Sequence, residues 1–464
     1  MPLSLSVLRA LQALFPGDGL LVKPEETLIF GADASRKHAP ADAVVRPENT
    51  EQVAELLSLA QTEAIPVYPR GRGTNVVGGC VPERGGIVVS TARLNRILDI
   101  SGEDFAVVAQ PGVITGELQE ACRARGLFYA PDPASARFAT IGGNLAQNAG
   151  GMRAVKYGTT RDWVLGLTVV LPGGRVLTTG SRCHKDVAGL DLTRLFVGSE
   201  GTLGFITEAI LKLVPLPEAQ ASLLAVFASE DDALQAARAV FASGILPTAM
   251  EYMPAEVLAA LARLGPAPWT RGTGELKSNG AALLMRLDGS GEAVAADLPR
   301  LRRAVESLAP AHLEEARTSA DEEALWEMRR QINQAAYQFG PDKLSDDIVV
   351  PRGSVGEAVR RIRAVSRELG LTILAFGHLG DGNLHVNIMY DASDPDQAAR
   401  AARAKEGVLG LTISLGGTIS GEHGVGLTKL PWLERMRGRE NVEAMRRIKT
   451  ALDPMGIMNP GKAY

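Results

Sequence analysis

Three glycine-rich blocks constrain the fold of the first half of this chain. They cover residues 70–75, 131–151 and 197–207. Glycine has no Cβ, so such blocks let the backbone approach a ligand closely, and successive N–H groups can form an anion-binding nest. One block alone is more often ordinary turn chemistry. Three blocks in one stretch favour a long, flat ligand that carries phosphate groups and is contacted at several points.

The pattern around the first block predicts a β-α-β unit. Residues 43–47 and 65–69 have strand character, and between them Asn49 or Thr50 can cap a helix. After the glycines the chain runs into another apolar strand at 86–90 without opening a helix. A Rossmann dinucleotide site needs its glycine-rich turn to lead directly into a helix. The order of elements therefore excludes that class and leaves a phosphate-binding loop.

The composition indicates small-molecule chemistry. The chain has 464 residues, of which 45% are hydrophobic and 22% charged, so two or three domains with sizeable cores are expected. A net charge of −4 gives no electrostatic footprint for nucleic acid. Cys80, Cys122 and Cys183 are too far apart in sequence for a disulfide framework or an iron–sulfur cluster. We expect a cytoplasmic protein without a signal peptide or a membrane span, because no run of 18 apolar residues occurs.

The pattern changes at about residue 218. Amphipathic helices, such as 231–243 and 292–308, alternate with short apolar runs such as 281–287 as far as about residue 420. This mixture predicts a second domain in which helices cover an antiparallel sheet.

Two segments near the C-terminus contain a candidate metal site. Residues 371–378 and 383–390 read as two strands joined by a Gly-Asp-Gly turn, which brings His378 and His385 together. His385 and Asn387 lie on the same face of their strand. A lone histidine beside a tight turn is usually structural, but two histidines and the Glu422-His423 pair are typical of a catalytic divalent ion.

Together these motifs resemble those of the FAD-linked oxidases of the vanillyl-alcohol oxidase type. The nearest resemblance is to the glycolate oxidase large flavin subunit, the D-lactate dehydrogenases and the D-2-hydroxyglutarate dehydrogenases. It extends from the loop at 69–75 to the terminal segment at 459–462. It implies an α+β fold: a two-subdomain FAD-binding domain (1–217), a cap of antiparallel sheet with helices over the flavin (218–420), and a C-terminal segment returning to the FAD domain (421–464).

The resemblance also implies FAD contacts. The first block would bind the pyrophosphate, the second the flavin and the third the adenosine part or ribityl chain, while Asn459 would close the site. The residues concerned are Arg70, Gly71, Arg72, Gly73, Thr74, Asn75, Pro131, Asp132, Ser135, Thr140, Gly142, Gly143, Asn144, Gly201, Gly204, Ile206 and Asn459. FAD should be non-covalent, because the first loop has no flavin-linking histidine. Leu190 departs from the tyrosine expected there.

By the same resemblance, the metal ligands are His378, His385 and Glu422, and the catalytic base is His423. Zinc, manganese and iron all suit this ligand set. Arg329, Lys343 and Asn387 would complete the catalytic set, with Arg329 and Lys343 binding the substrate carboxylate, although Arg329 and Lys343 are also consistent with solvated surface charges.

The implied reaction is oxidation of a small 2-hydroxy acid to the 2-oxo acid. Asn333 stands where hydroxyglutarate-type enzymes carry threonine, which favours glycolate or D-lactate over D-2-hydroxyglutarate. An accessory flavin subunit without turnover is the alternative, and the histidine and glutamate set favours catalysis. An alkyl-glycerone-phosphate synthase-like transferase fits the C-terminal motifs less well.

Electrons from reduced FAD would pass to oxygen, a quinone, a cytochrome or a partner protein. Resemblance to glycolate oxidase implies an iron–sulfur subunit and a second flavin subunit as partners. Such partners would place the protein peripherally at the inner face of the membrane.

Overall fold

The computed structural model of the chain describes residues 3–265, 280–316 and 318–464. The chain forms two compact units. The first contains Met1–Gly150, Gly158–Leu216 and Glu422–Tyr464, and the second contains Gly151–Tyr157 and Pro217–Gly421. The division into residues 1–217, 218–420 and 421–464 inferred from sequence remains a prediction.

The first unit contains a four-stranded sheet with strand order β1-β2-β4-β3. Its strands are β1 (Leu20–Leu21), β2 (Ala43–Val45), β3 (Val67–Arg70) and β4 (Ile87–Ser90), and its helices are α1 (Leu5–Leu14), α2 (Pro24–Thr27) and α3 (Thr50–Thr62). Strand β4 runs parallel to β2 and β3. Helix α3 begins where the side chain of Asn49 accepts the backbone N–H of Gln52 at 2.8 Å. The predicted β-α-β unit is therefore present, and a loop rather than a helix follows β3.

A second, antiparallel sheet in the first unit has the order β5-β6-β10-β8-β9. Its strands are β5 (Ile97–Ser101), β6 (Ala106–Ala109), β8 (Val164–Val170), β9 (Val176–Gly180) and β10 (Phe205–Lys212), while β7 (Leu127–Phe128) pairs with β11 (Val214–Pro215). The remaining helices of this unit are α4 (Thr115–Arg123), α5 (Ile141–Gln147), α7 (Leu192–Phe196), α15 (Leu430–Arg437) and α16 (Arg439–Leu452).

The C-terminal residues extend the first sheet. Met458 forms a parallel bridge with Val67 at the open edge of β3. The backbone N–H of Asn459 donates to the carbonyl oxygen of Val67 at 2.8 Å. The end of the chain is thus part of the sheet that carries the first glycine-rich loop.

The second unit is built on a seven-stranded antiparallel sheet with the order β15-β12-β14-β13-β17-β18-β16. The strands are β12 (Ala219–Phe227), β13 (Ala249–Pro254), β14 (Ala281–Gly289), β15 (His312–Glu315), β16 (Asp342–Val349), β17 (Ile373–His378) and β18 (Asn383–Tyr390). The helices are α6 (Ala154–Tyr157), α8 (Glu230–Ala242), α9 (Ala255–Leu264), α10 (Gly291–Glu306), α11 (Ser319–Arg330), α12 (Ile332–Ala335), α13 (Val355–Leu369) and α14 (Pro395–Ser414).

One apolar cluster joins this sheet to its helices. Trp326 of α11 is buried with Leu258 of α9 and Phe376 of β17. Burial of such side chains contributes about 1.5–3 kcal/mol each relative to leaving them exposed. Helices α8 and α10 and strand β14 fall where the amphipathic and apolar runs predict them. Across the described ranges, none of the helices combines the length and the apolar character needed to cross a membrane.

Candidate active site

A cavity of about 300 Å³ lies in the first unit, and the three glycine-rich blocks line it. The predicted FAD residues on its wall are Arg70, Gly71, Arg72, Gly73, Thr74, Asn75, Ser135, Thr140, Gly142, Gly143, Asn144, Gly201, Gly204 and Ile206. Glu422 and His423 line it as well. Among the described residues, Pro131, Asp132 and Asn459 are outside this lining set. The structure thus brings most of the predicted FAD residues together around one cavity.

The glycines bring the blocks into contact with each other. The Thr140 side chain caps α5 by accepting the backbone N–H of Gly143 at 3.2 Å. A Cβ on Gly71 would lie 2.4 Å from the Thr140 Oγ1 atom, so a side chain at residue 71 would displace Thr140 from this capping contact or push the two blocks apart. Gly201 has φ +68° and lies against Pro69, where a Cβ would be 3.0 Å from the proline ring. Close contact between the loops therefore accounts for some of these glycines, in addition to any close approach to a ligand.

Arg70 anchors the start of the first loop. Its Nη1 donates to the carbonyl oxygen of Ala32 at 2.6 Å, and its Nη2 donates to that of Ile29 at 3.2 Å. The guanidinium also lies 3.1 Å from the Cys80 sulfur. The side chain is thus committed to protein contacts, and any phosphate contact at this position would come from the backbone.

Glu200 fixes the segment that follows His423. Its Oε1 accepts the N–H of Val425 at 2.7 Å, and its Oε2 accepts the N–H of Gly426 at 2.9 Å. Burial raises the pKa of Glu200, and these two backbone donors offset only part of the effect. Asn75 donates to the carbonyl oxygen of His423 at 2.9 Å. Glu200 lies inside the third block but is not among the residues predicted from sequence.

Asn459 supports the same region from the C-terminus. Its Nδ2 donates to the carbonyl oxygens of Glu200 at 2.6 Å and Gly79 at 2.8 Å. Asn459 therefore braces two segments that line the cavity, and its part in closing the FAD site stays a prediction.

In the second unit, His378 and His385 face each other across the predicted hairpin. Strands β17 and β18 pair so that Phe376 is opposite His385 and His378 is opposite Asn383. The two Nε2 atoms are 3.3 Å apart. Two nitrogens bound to one tetrahedral ion at about 2.0–2.1 Å would be about 3.4 Å apart. The pair therefore fits two adjacent positions in the coordination shell of a divalent metal.

A buried glutamate on the neighbouring strand contacts His378. Glu251 of β13 is the register partner of His378, and its Oε1 lies 2.5 Å from His378 Nδ1. Its Oε2 accepts from both Nε and Nη2 of Arg329 at 2.6 Å. Burial alone would raise the pKa of Glu251, but Arg329 and His378 outweigh it and hold that pKa well below its usual value. Glu251 is not among the residues predicted from sequence.

The other predicted substrate residues meet at Asn333. Lys343 Nζ and Asn387 Nδ2 lie 3.2 and 3.4 Å from the Asn333 Oδ1 atom. Ser345 Oγ donates to Asn387 Oδ1 at 2.6 Å, so the orientation of that amide is fixed. Arg329 contacts Glu251 instead, and its guanidinium lies 5.3 Å from the centre of the Phe376 ring. One polar group thus consists of Lys343, Asn387 and Asn333. Arg329 is separate from it and lies with Glu251 and His378.

The chain passes from the second unit to the first between Gly421 and Glu422. In the first unit, a Cβ on Gly150 would be 3.1 Å from Glu422 Cγ. In the second unit, the preceding residue, Gly421, donates its N–H to Asp347 Oδ2 at 2.7 Å. Asp347 is the register partner of His385, so the chain leaves the second unit beside the strand that carries this histidine.

Two family models match the chain. The model described as "FAD linked oxidases, C-terminal domain" matches residues 216–463, and the model described as "FAD binding domain" matches residues 41–180. Together with the glycine-lined cavity, they define an FAD-binding flavoprotein.

Curated relatives cover nearly the whole chain. "Glycolate oxidase subunit GlcD" of Bacillus subtilis (strain 168) is 40% identical over 438 residues, which is 94% of this chain and 92% of that protein. "D-lactate dehydrogenase" of Anaerostipes hadrus is 36% identical and covers 94% of this chain and 91% of its own length. The chain belongs to the FAD-linked oxidases of the vanillyl-alcohol oxidase type and is an oxidoreductase of the glycolate oxidase and D-lactate dehydrogenase kind.

Solved structures confirm the predicted fold class. p-Cresol methylhydroxylase with substrate bound has a TM-score of 0.82 at 18% identity, with 99% of this chain and 96% of that chain covered. An alkyldihydroxyacetonephosphate synthase has a TM-score of 0.77 at 20% identity, with 99% and 87% covered. At these identities the likeness shows the fold alone.

Proposed function

We propose that this enzyme oxidises glycolate or D-lactate to the corresponding 2-oxo acid, with FAD and a divalent metal as cofactors. The facing imidazoles of His378 and His385 give the strongest support, because their 3.3 Å spacing suits one ion. The names of the curated relatives agree with this substrate class.

The proposed metal ligands are His378, His385 and Glu422. The first two are side by side on the hairpin, and Glu422 directly follows Gly421, which Asp347 holds next to the His385 strand. Zinc is the first choice for two imidazoles and a carboxylate, with manganese and iron as the other candidates. Such an ion supplies a positive charge that makes a coordinated hydroxyl group easier to deprotonate.

His423 is the proposed catalytic base. It would accept the proton of the substrate hydroxyl group while the hydrogen on the adjacent carbon leaves as hydride. An imidazole with an ordinary pKa of about 6.5 suits this task at neutral pH. Asn75 holds the carbonyl oxygen of His423, and Glu200 holds the N–H of Val425 two residues further on. FAD, when bound, accepts the hydride and later passes on two electrons.

Lys343 and Asn387 are the proposed substrate carboxylate contacts. The Lys343 ammonium can donate to a carboxylate, and the fixed amide of Asn387 offers a second donor. Arg329 is also proposed to contribute positive charge, although its Nε and Nη2 are directed to Glu251. Asn333, which contacts both Lys343 and Asn387, favours a small acid over one with a second, distal carboxylate.

The proposed reaction also requires an electron acceptor outside this chain, which reoxidises the FAD. The Bacillus subtilis and Escherichia coli (strain K12) relatives are named as subunits of glycolate oxidase. We therefore propose partner subunits, including one with an iron–sulfur cluster and a second flavin subunit, as the route for electrons. A quinone, cytochrome or oxygen would serve if the chain acts alone.

Anaerobic bleaching of the bound flavin tests the proposal. Purified, FAD-loaded and metal-replete protein is mixed separately with glycolate, D-lactate, L-lactate and D-2-hydroxyglutarate, and flavin absorbance is followed. Rapid bleaching by glycolate or D-lactate is the expected result. Bleaching by D-2-hydroxyglutarate alone would replace the proposed substrate. No bleaching by any acid would favour the alternative, an accessory flavin subunit that has no turnover of its own.

A further inference from the structure

Glu251 is a buried carboxylate that the proposed reaction does not use. It has no exposed surface and lies in the interior strand β13 of the seven-stranded sheet. An ionised carboxylate in such a place is costly unless it is paired and hydrogen-bonded. Its two oxygens divide their contacts, one with His378 and the other with Arg329.

The contact with His378 determines which ring nitrogen carries the proton. A neutral imidazole has one N–H donor and one acceptor nitrogen, and a carboxylate can only accept. With Glu251 beside Nδ1, the proton resides on Nδ1, and Nε2 presents its lone pair towards His385 Nε2, 3.3 Å away. That is the tautomer a metal ion requires, and a carboxylate behind a ligating histidine also increases the basicity of the ligand.

The contact with Arg329 supplies the compensating charge. Both Nε and Nη2 of this arginine donate to Glu251 Oε2, which gives a charge-assisted pair in a buried setting. The same pair directs the guanidinium over Phe376, which is opposite His385 in the sheet. One carboxylate therefore sets the position of a proposed metal ligand and of a proposed substrate cation.

We propose that Glu251 is a positioning residue that orients His378 for metal binding and holds Arg329 at the same time. This inference rests on the proposed metal site. Glu251 should therefore affect the affinity for metal, whereas a residue that serves only in packing should not.

The test compares metal binding by wild-type protein, Glu251→Gln and a matched control, Glu322→Gln. Glu322 is also a buried carboxylate of the second unit, and its Oε1 lies 2.8 Å from Arg286 Nε and 3.1 Å from Ser222 Oγ. FAD-loaded protein is stripped of metal, and its affinity for Zn²⁺ is measured by competition with a chromophoric chelator. We expect Glu251→Gln to weaken Zn²⁺ binding by about 10–100-fold. Glu322→Gln should bind Zn²⁺ like the wild type.

A double variant controls for loss of Zn²⁺ affinity that is caused by misfolding. Glu251→Gln leaves Arg329 without its counter-charge, whereas Glu251→Gln with Arg329→Gln removes both charges together, which proteins tolerate better. The double variant should show the same loss of Zn²⁺ affinity. Saturating Zn²⁺ should restore flavin bleaching at least in part in Glu251→Gln, which keeps Arg329, and an unfolded protein would not allow this recovery.

The outcomes separate this inference from the proposed metal site. If the wild type binds Zn²⁺ and both Glu251 variants bind it equally well, the role of Glu251 is wrong and the metal site stands. An equal loss in Glu322→Gln would also overturn the inference, because the effect would then be general to buried carboxylates. Failure of the wild type to bind Zn²⁺, Mn²⁺ or Fe²⁺ would overturn the metal site and the inference with it.

Discussion

The Glu200 carboxylate accepts the backbone N–H of Val425 at 2.7 Å and so holds the chain two residues after His423. Its other oxygen accepts the next N–H, from Gly426. Both contacts lie in the first unit, beside the cavity that the glycine-rich blocks line. The placement of the proposed base thus depends on a buried side chain far away in sequence.

Replacing Glu200 with glutamine should slow flavin reduction at least tenfold. The amide keeps one acceptor oxygen but directs an NH₂ donor towards a backbone N–H, which leaves that buried N–H unsatisfied at a cost of about 1–3 kcal/mol. Stopped-flow bleaching by glycolate or D-lactate measures the rate. Glu120→Gln, an exposed substitution on α4, is the control and should react like the wild type. Unchanged bleaching in Glu200→Gln would show that His423 does not need this support.

The difference in stability between wild type and Glu200→Gln should also depend on pH. Burial raises the pKa of Glu200 above the ordinary value of 4.5. Between 4.5 and the raised pKa the folded state binds more protons at this site than the unfolded state, so stability falls as pH rises. The free energy of unfolding of wild type minus that of Glu200→Gln should therefore decrease through this window and level off above it. Urea unfolding from about pH 4 to about pH 8 measures the difference, and a rising difference would contradict the assignment.

His423→Asn should retain FAD and lose turnover. Removal of a general base typically costs about 10²–10⁴-fold in rate, whereas the cavity wall and its backbone contacts persist. Flavin absorbance of the purified protein measures FAD content, and anaerobic bleaching measures the reaction. His184→Asn, on the exposed segment after β9, serves as the control. A His423→Asn enzyme that bleaches at the wild-type rate would remove His423 from the catalytic role.

His385→Ala should lose metal while keeping FAD. Only one imidazole of the facing pair would remain, so the ion loses a ligand, whereas the flavin cavity belongs to the other unit. Elemental analysis gives the metal content and absorbance the FAD content. Chelation of wild-type metal should abolish bleaching, and added Zn²⁺, Mn²⁺ or Fe²⁺ should restore it. Full activity in a metal-free sample would exclude a metal-dependent reaction.

Gly71→Ala should weaken FAD binding at least tenfold. The new methyl group would lie 2.4 Å from Thr140 Oγ1, so either the first and second blocks separate or Thr140 rotates and loses its bond to the Gly143 N–H. Overpacking of this kind costs about 1–3 kcal/mol. Gly102→Ala is the matched control, because no atom lies within 4 Å of the added Cβ and its φ is not positive. FAD affinity from fluorescence titration of stripped protein distinguishes the two, and equal affinity would contradict the predicted crowding.

Local patterns predicted the histidine hairpin well. His378 and His385 are separated by a short turn, and the period of two along a strand determines which side chains share a face. Glu251 could not be predicted because it contacts His378 only when β13 pairs with β17. The local sequence pattern of these strands does not specify that they pair with each other. The side-chain contacts of Arg70 could not be predicted from the local sequence either, because its partners Ala32 and Ile29 lie 38 and 41 residues earlier in the chain.

The bridge between Val67 and Met458 has a consequence for biosynthesis. Strand β3 is synthesised before the second unit, whereas Met458, which covers its outer edge, is synthesised after that unit. At about 5–20 residues per second, that edge waits for a time on the order of tens of seconds. Residues 217–421, by contrast, emerge as one continuous stretch. The edge of β3 therefore stays uncovered until Met458 has been made, and the first sheet is completed only after the second unit has been synthesised.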